Sequence, residues 1–305
     1  MPLNSLLRLL LLAALWGGSF LFLRISAPVL GIVTTAFGRV MLGALGLLVW
    51  LAIMRVPLRF SGRFWVVAAI GTLTSGLPFL LYSAAAQVLP AAYSSILNAM
   101  TPLMGVLIGG TFFGEQVTPK KVLGVFMGLG GVVVLSETGP VALNATTALA
   151  VAACLMATVC YALSGFLTKR LISDHGTIDN RAVAFGSQVG GVIVLAPFML
   201  WQSYAAPLAW SQVGAEVWVS MLGLGLLCTS FAYILFFRLI SEIGALSTLT
   251  VTFLIPLFGV LWGWLLLHER LSLGYALGGG LIMLALLLVL PVFGRLGRSL
   301  APRPD

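Results

Sequence analysis

Charge is what this chain has least of: sixteen basic and eight acidic side chains in 305 residues, with two histidines and three cysteines. So little polar surface cannot cover a soluble domain of this length, and that class is excluded. The histidines, His175 and His268, form no HExxH pattern, and neither a Ser-His-Asp set nor a glycine-rich phosphate loop is present. Hydrolase, metalloenzyme and ATP-driven readings therefore have little to stand on, and no cofactor or metal site is expected. Cys154, Cys160 and Cys228 lie in apolar runs without ligand or redox spacing, and read as small apolar fillers. None of the acids (Glu115, Glu137, Asp174, Asp179, Glu216, Glu242, Glu269, Asp305) falls in the middle of an apolar run. A pump exchanging protons for lipophilic cations is expected to keep a carboxylate there.

What is present is apolar: 60% of the residues are hydrophobic and the mean hydropathy is +1.12. Breaks between the runs give ten spans, at about 6–24, 32–54, 64–87, 92–113, 120–136, 147–168, 182–201, 214–238, 245–267 and 272–292. Their hydrophobicity is near-continuous, without barrel alternation, and lipid leaves no other regular choice than helices. The leucine-rich opening resembles a secretion signal, but it continues through Trp16 to Arg24 without a small-residue exit and is expected to be a first span. The net charge of +8 sits between spans rather than on a basic face with interleaved aromatics, so a lipid bilayer and not nucleic acid is the expected partner. Thirteen Lys and Arg (Arg8, Arg55, Arg59, Arg63, Lys120, Lys121, Lys169, Arg170, Arg181, Arg238, Arg295, Arg298, Arg303) fall on one side, and only Arg24 and Arg270 on the other. That asymmetry predicts a multi-pass protein of the cell membrane with both termini cytoplasmic.

Two stretches repeat one pattern, PLMGVLIGGTFFGE at 102–115 and PLFGVLWGWLLLHE at 256–269, identical at seven of fourteen positions. The shared residues include Pro102/Pro256, Gly105/Gly259, Gly109/Gly263 and Glu115/Glu269. The duplication divides the chain into halves of about 1–140 and 141–305 with five spans each. Five is odd, so the second half enters the membrane from the opposite side, and the halves form an inverted pair. Tyr82 aligns with Phe236 and Gly124 with Gly278, and WGGSFLFLR at 16–24 aligns loosely with YALSGFLTK at 161–169.

Candidate site residues follow from polarity at mid-depth. Pro102 and Pro256 each deprive the carbonyl four residues earlier of its donor, freeing those of Asn98 and Thr252 at equivalent places. Ser94, Asn98 and Thr101 form one polar stripe; Tyr161, Ser164 and Thr168 form another, Trp16 and Ser19 a third, and Thr74, Pro78 and Tyr82 a fourth. Such stripes either line a solute site or hold helices together. Arg39 is the one formal charge well inside a span and marks either a functional partner or a side chain that snorkels outward. Glu115 and Glu269 end spans 4 and 9 and suit paired hinges or simple turn caps. Gly105-x3-Gly109, Gly259-x3-Gly263, Gly124/Gly128 and Gly274/Gly278 are small-residue patches for close helix approach, within the chain or in a homodimer, although a monomer suffices.

Taken together, the ALWGGSF opening at 14–20, Arg39, and the duplicated proline-glycine-glutamate segments with glycine-bearing helices after them resemble the drug/metabolite transporter superfamily. The likeness is to its ten-helix EamA branch and covers essentially the whole chain. The resemblance implies two inverted five-helix repeats around a central cavity, alternating access, and export of small metabolites, often amino acids, aromatic and neutral ones in particular. The second repeat departs from the pattern at CYALSGF, where the first has LWGGSF. The residues agree: hydroxyls, one amide and aromatics without a central acid suit neutral or zwitterionic solutes. A sugar, nucleotide-sugar or drug in the same fold, a membrane-embedded lipid-handling enzyme, and a passive channel remain the alternatives.

Overall fold

The computed structural model describes residues 2–172, 174 and 178–289. Arg295, Arg298, Arg303, His175, Asp305 and the last residues of the tenth expected span lie outside the described residues. Eight helices are long and apolar enough to cross a membrane: α1 Leu3–Leu30, α2 Ile32–Ile53, α3 Phe64–Ala86, α4 Ala91–Phe112, α5 Pro119–Thr138, α6 Ala145–Leu171, α7 Asn180–Ala205 and α8 Ala215–Ile243. Two shorter apolar helices follow, α9 Val251–Leu267 and α10 Leu273–Val289. At about 1.5 Å per residue, the 17 residues of α9 reach only roughly 25 Å, less than a hydrocarbon core of about 30 Å. One further helical turn, Ala245–Thr248, precedes α9 and makes up the difference.

The expected spans are thus present, though α1 runs on through Pro28 to Leu30 and α7 through Pro197 to Ala205. Local chemistry sets several ends. Thr118, Asn144 and Asp179 cap the starts of α5, α6 and α7 with their side-chain oxygens. Gly31, at φ 80°, reverses the chain between α1 and α2 in one residue while its N–H donates to the Ala27 carbonyl.

The two repeats, α1–α5 and α6–α10, interleave rather than sit side by side: α1 packs on α9, α2 on α7 and α8, α3 on α6 and α7, and α5 on α10. Glycine permits two of these approaches. A Cβ on Gly17 would lie 2.8–2.9 Å from Phe258 Cβ, Gly259 N and the Ile255 carbonyl of α9. Between α5 and α10, a Cβ on Gly131 would meet the Gly278 carbonyl at 2.8 Å, and one on Gly278 the Gly131 carbonyl at 2.7 Å. The small-residue seam read from the sequence is therefore occupied inside the chain, by the equivalent helix of the other repeat. Large apolar side chains such as Phe126, Leu149, Leu200 and Leu257 point outward, as lipid-facing surface does.

Two helices leave regular α geometry at matching places. α3 contains a π turn at Thr72–Gly76, and α8 a longer π segment at Gly223–Phe231. Such bulges turn polar groups out of the helical ladder and recur at functional sites.

Candidate functional site

The polar side chains of the bundle gather where these π segments face α2 and α7. Arg39 is only 6% exposed and does not snorkel. Its Nε donates to Thr229 Oγ1 at 3.2 Å, and its guanidinium lies 3.7 Å from the ring centroid of Phe79 on α3. Thr229 in turn donates to the Leu224 carbonyl, five residues back in the π segment. Ser75, at the place in α3 that Thr229 holds in α8, accepts from Gln188 Nε2 of α7 at 2.8 Å. Arg39 follows Phe37-Gly38 on α2, and Gln188 closely follows Phe185-Gly186 on α7. The two repeats therefore present the same contact, with a cation in one and a neutral amide in the other.

Beside this network runs an aromatic wall built from swapped halves. Trp16 of α1 meets Phe236 of α8 at 5.4 Å between centroids, and Tyr161 of α6 stacks on Tyr82 of α3 at 6.2 Å. In the sequence alignment Trp16 matches Tyr161 and Phe236 matches Tyr82, so these are one contact made twice. Phe20 adds an edge to Tyr82 at 5.3 Å. Tyr82, 2% exposed, donates its hydroxyl to Asn98 Oδ1 at 3.0 Å, which orients the amide.

Other expected site residues turn back on their own helices. Ser19 donates to the Trp16 carbonyl and Ser164 to the Tyr161 carbonyl, one more repeated pair. Thr101 donates to the Asn98 carbonyl at 2.8 Å, so the acceptor that Pro102 sets free is taken by a hydroxyl three residues on. Thr252 donates to the Leu249 carbonyl. The breaks also differ from expectation. The first repeat interrupts α4 at Ala99–Met100, directly ahead of Pro102, but Pro256 sits inside continuous α9. The second repeat breaks about a turn earlier, at Leu249–Thr250, where the chain has left the Ala245–Thr248 turn.

Glu269 is a clamp between repeats rather than a cap of its own turn. Its carboxylate accepts from the Ala91 N–H at 2.6 Å and the Ala92 N–H at 3.0 Å, the first free donors of α4. One turn further along, Gly259 of α9 lies against Ser95 of α4 so closely that any Cβ would overlap it. On the opposite face, the equivalent residues stand apart. A Cβ on Gly105 would meet nothing within 4 Å, Leu249 (the match of Ser95) is 44% exposed, and Glu115 is exposed. Both glutamates nevertheless share one backbone turn: Glu115 N–H donates to the Gly109 carbonyl at 2.9 Å and Glu269 N–H to the Gly263 carbonyl at 3.0 Å. The residue before each, Gly114 or His268, has positive φ.

Sequence reasoning missed Ser75, Phe79, Gln188 and Thr229. Polar residues in apolar runs were the available signal; their convergence was not. Among the described residues no group of His, Cys, Asp and Glu is placed to hold a metal.

A multi-pass bundle of interleaved inverted repeats, with polar and aromatic groups from both halves at its centre, is the architecture of secondary transporters. The family model for EamA-like transporters matches residues 4–137 and again 148–290, and the chain belongs to that family. An uncharacterized transporter of Archaeoglobus fulgidus is 29% identical over 286 residues, 90% of this chain and 92% of that protein. A probable terminal-alkyne amino-acid exporter of Streptantibioticus cattleyicolor is 22% identical over 248 residues, 81% of this chain and 80% of its own. A solved crystal structure shares the fold with a TM-score of 0.60 at 21% identity, over 97% of this chain and 99% of the other.

Proposed function

We propose that this transporter exports small neutral or zwitterionic metabolites, aromatic and other neutral amino acids foremost, across the cell membrane by alternating access. The observation that carries the reading is the unequal state of two equivalent gates. Glu269, Gly259 and Ser95 hold α4 to α9 on one face, while Glu115, Gly105 and Leu249 stand open on the other. Exchange of the two gates, with α4 and α9 moving against the rest about the breaks at Ala99–Met100 and Leu249–Thr250, exposes a common site first to one face and then to the other. With both termini cytoplasmic, as the positive charges indicate, the open gate looks into the cell.

The site itself consists of Trp16, Tyr82, Tyr161 and Phe236 as an apolar wall, with Asn98 and Arg39 as polar groups. Aromatic walls with few convergent donors select an apolar side chain on a polar head. Support from relatives is the amino-acid exporter named above. Counterflow in proteoliposomes, with labelled amino acids run beside sugars and nucleotide-sugars and with or without a pH gradient, tests the reading. Saturable, trans-stimulated exchange of a neutral amino acid is expected. Exchange confined to sugars or nucleotide-sugars overturns the substrate, and non-saturable flux overturns the carrier.

A further inference from the structure

Arg39 is a buried cation with no anion paired to it among the described residues. The ion pairs among the described residues join Arg8 and Arg238 to Glu242, and Arg181 to Asp179, all near helix ends. The seven described acidic residues likewise sit at helix ends or in loops. Arg39 stands seven residues into α2, roughly 10 Å below the helix start, with one hydrogen bond from Nε and one aromatic face. Its two Nη atoms have no partner among the described residues, yet they are not among the sealed orphan atoms of the bundle.

An uncompensated guanidinium at this depth is costly and persists where something answers it. Phe79 carries no charge and Thr229 supplies only a hydroxyl, so the protein leaves the planar two-donor edge unused. A second unused donor is held by the same helix that carries Phe79. Tyr82 follows Phe79 by three residues on α3, roughly 5–6 Å away, and holds the oxygen of Asn98. The Asn98 amide N–H groups then have no partner among the described residues and are likewise unsealed. Among the described residues the site is rich in donors and has no carboxylate to receive an ammonium.

We propose that Arg39 is the anchor for the carboxylate of the transported solute, and that the protein recognises that carboxylate rather than the amine of an amino acid. The proposal rests on the transport reading above and redraws its substrate class, adding monoanionic acids to the zwitterions. The substrate class becomes apolar carboxylic acids, amino acids among them, with 2-hydroxy and 2-oxo acids equally acceptable. The corresponding contact of the second repeat, Gln188 with Ser75, is already made and carries no charge, so the anchor exists once and the solute binds in one orientation.

The test uses the full chain in proteoliposomes, with L-phenylalaninamide, L-3-phenyllactate and phenethylamine competing against counterflow of labelled L-phenylalanine. The same compounds are compared by thermal-unfolding shift of the solubilised protein. Phenyllactate should compete within a few-fold of phenylalanine, while the amide and the amine should be weaker by about ten-fold or more. Arg39→Gln should lose this preference for acid over amide. Arg39→Lys should keep it with weaker binding, since it retains the charge but not the planar fork, and it carries the test if Arg39→Gln does not fold. Equal competition by acid and amide, or a preference that survives Arg39→Gln, overturns the anchor and leaves transport standing. An acid-selective shift without amino-acid counterflow supports the anchor and overturns amino-acid export. Neither shift nor flux overturns both.

Discussion

Glu269→Ala should release the closed gate. The carboxylate satisfies two backbone donors at the start of α4, at 2.6 and 3.0 Å, and sits at the positive end of that helix. Loss of a helix cap costs about 1–2 kcal/mol, and a charge at a partly buried helix start contributes about 0.3–1 kcal/mol more. When the gate opens, water takes over both partners, so the difference between gate states is of the order of 2 kcal/mol. At about 1.4 kcal/mol per factor of ten, that moves the closed-to-open ratio of this gate by roughly thirty-fold. Spin labels at Gln87 and Arg270 report this gate, and labels at Gln116 and Ser241 the opposite one. The buried Cys154, Cys160 and Cys228 would be replaced first. Double electron–electron resonance should show the Gln87–Arg270 distances lengthening in Glu269→Ala. Glu115→Ala should act with the opposite sign, disfavouring closure of the other gate. An unchanged distance distribution in Glu269→Ala, or both variants shifting the same way, would refute the reasoning.

Tyr82→Phe keeps the stacking on Tyr161 but releases Asn98; one neutral hydrogen bond of about 0.5–1.5 kcal/mol predicts a few-fold loss of substrate affinity, with the unfolding midpoint lowered by no more than a few degrees. Asn98→Ala and Tyr82→Ala should both lower counterflow without loss of folded protein. Gly278→Ala, whose Cβ would lie 2.7 Å from the Gly131 carbonyl, should destabilise the α5–α10 seam by about 1–3 kcal/mol in thermal unfolding, whereas Gly280→Ala, which meets nothing, should not. The Arg181 side chain donates to Asp179 and holds its carboxyl below the usual value, so this contribution is present at neutral pH and is lost as pH falls through the folded value. Asp179→Asn should therefore flatten the acid limb of the unfolding midpoint, by less than about 1 kcal/mol for so exposed a pair.

The ten spans were legible because lipid imposes length and hydropathy directly on sequence, and the proline-glycine-glutamate repeat because its end forms the same backbone turn twice. Gly109 and Gly263 accept the clasping glutamate N–H, and Gly114 and His268 supply positive φ. What Glu269 clasps was not legible, since Ala91 and Ala92 lie far away in sequence and offer only backbone. The π segments at Thr72–Gly76 and Gly223–Phe231 were also hidden, because over so few residues the sequence pattern does not distinguish an i to i+5 ladder from an i to i+4 one. Asn98 shows how a local competitor wins: Pro102 does free its carbonyl, but the Thr101 hydroxyl reaches it before any solute does. Arg39 stood out as a charge, whereas the absence of a counter-ion around it among the described residues is a property of packing.

The most direct test of one site served by two gates is the reactivity of a single cysteine, Asn98→Cys in a chain without Cys154, Cys160 and Cys228. A membrane-impermeant thiol reagent should label it from either face of sealed, oriented vesicles, and a saturating neutral amino acid should slow both reactions. Labelling from one face only, whatever solute is present, would contradict alternating access at this site.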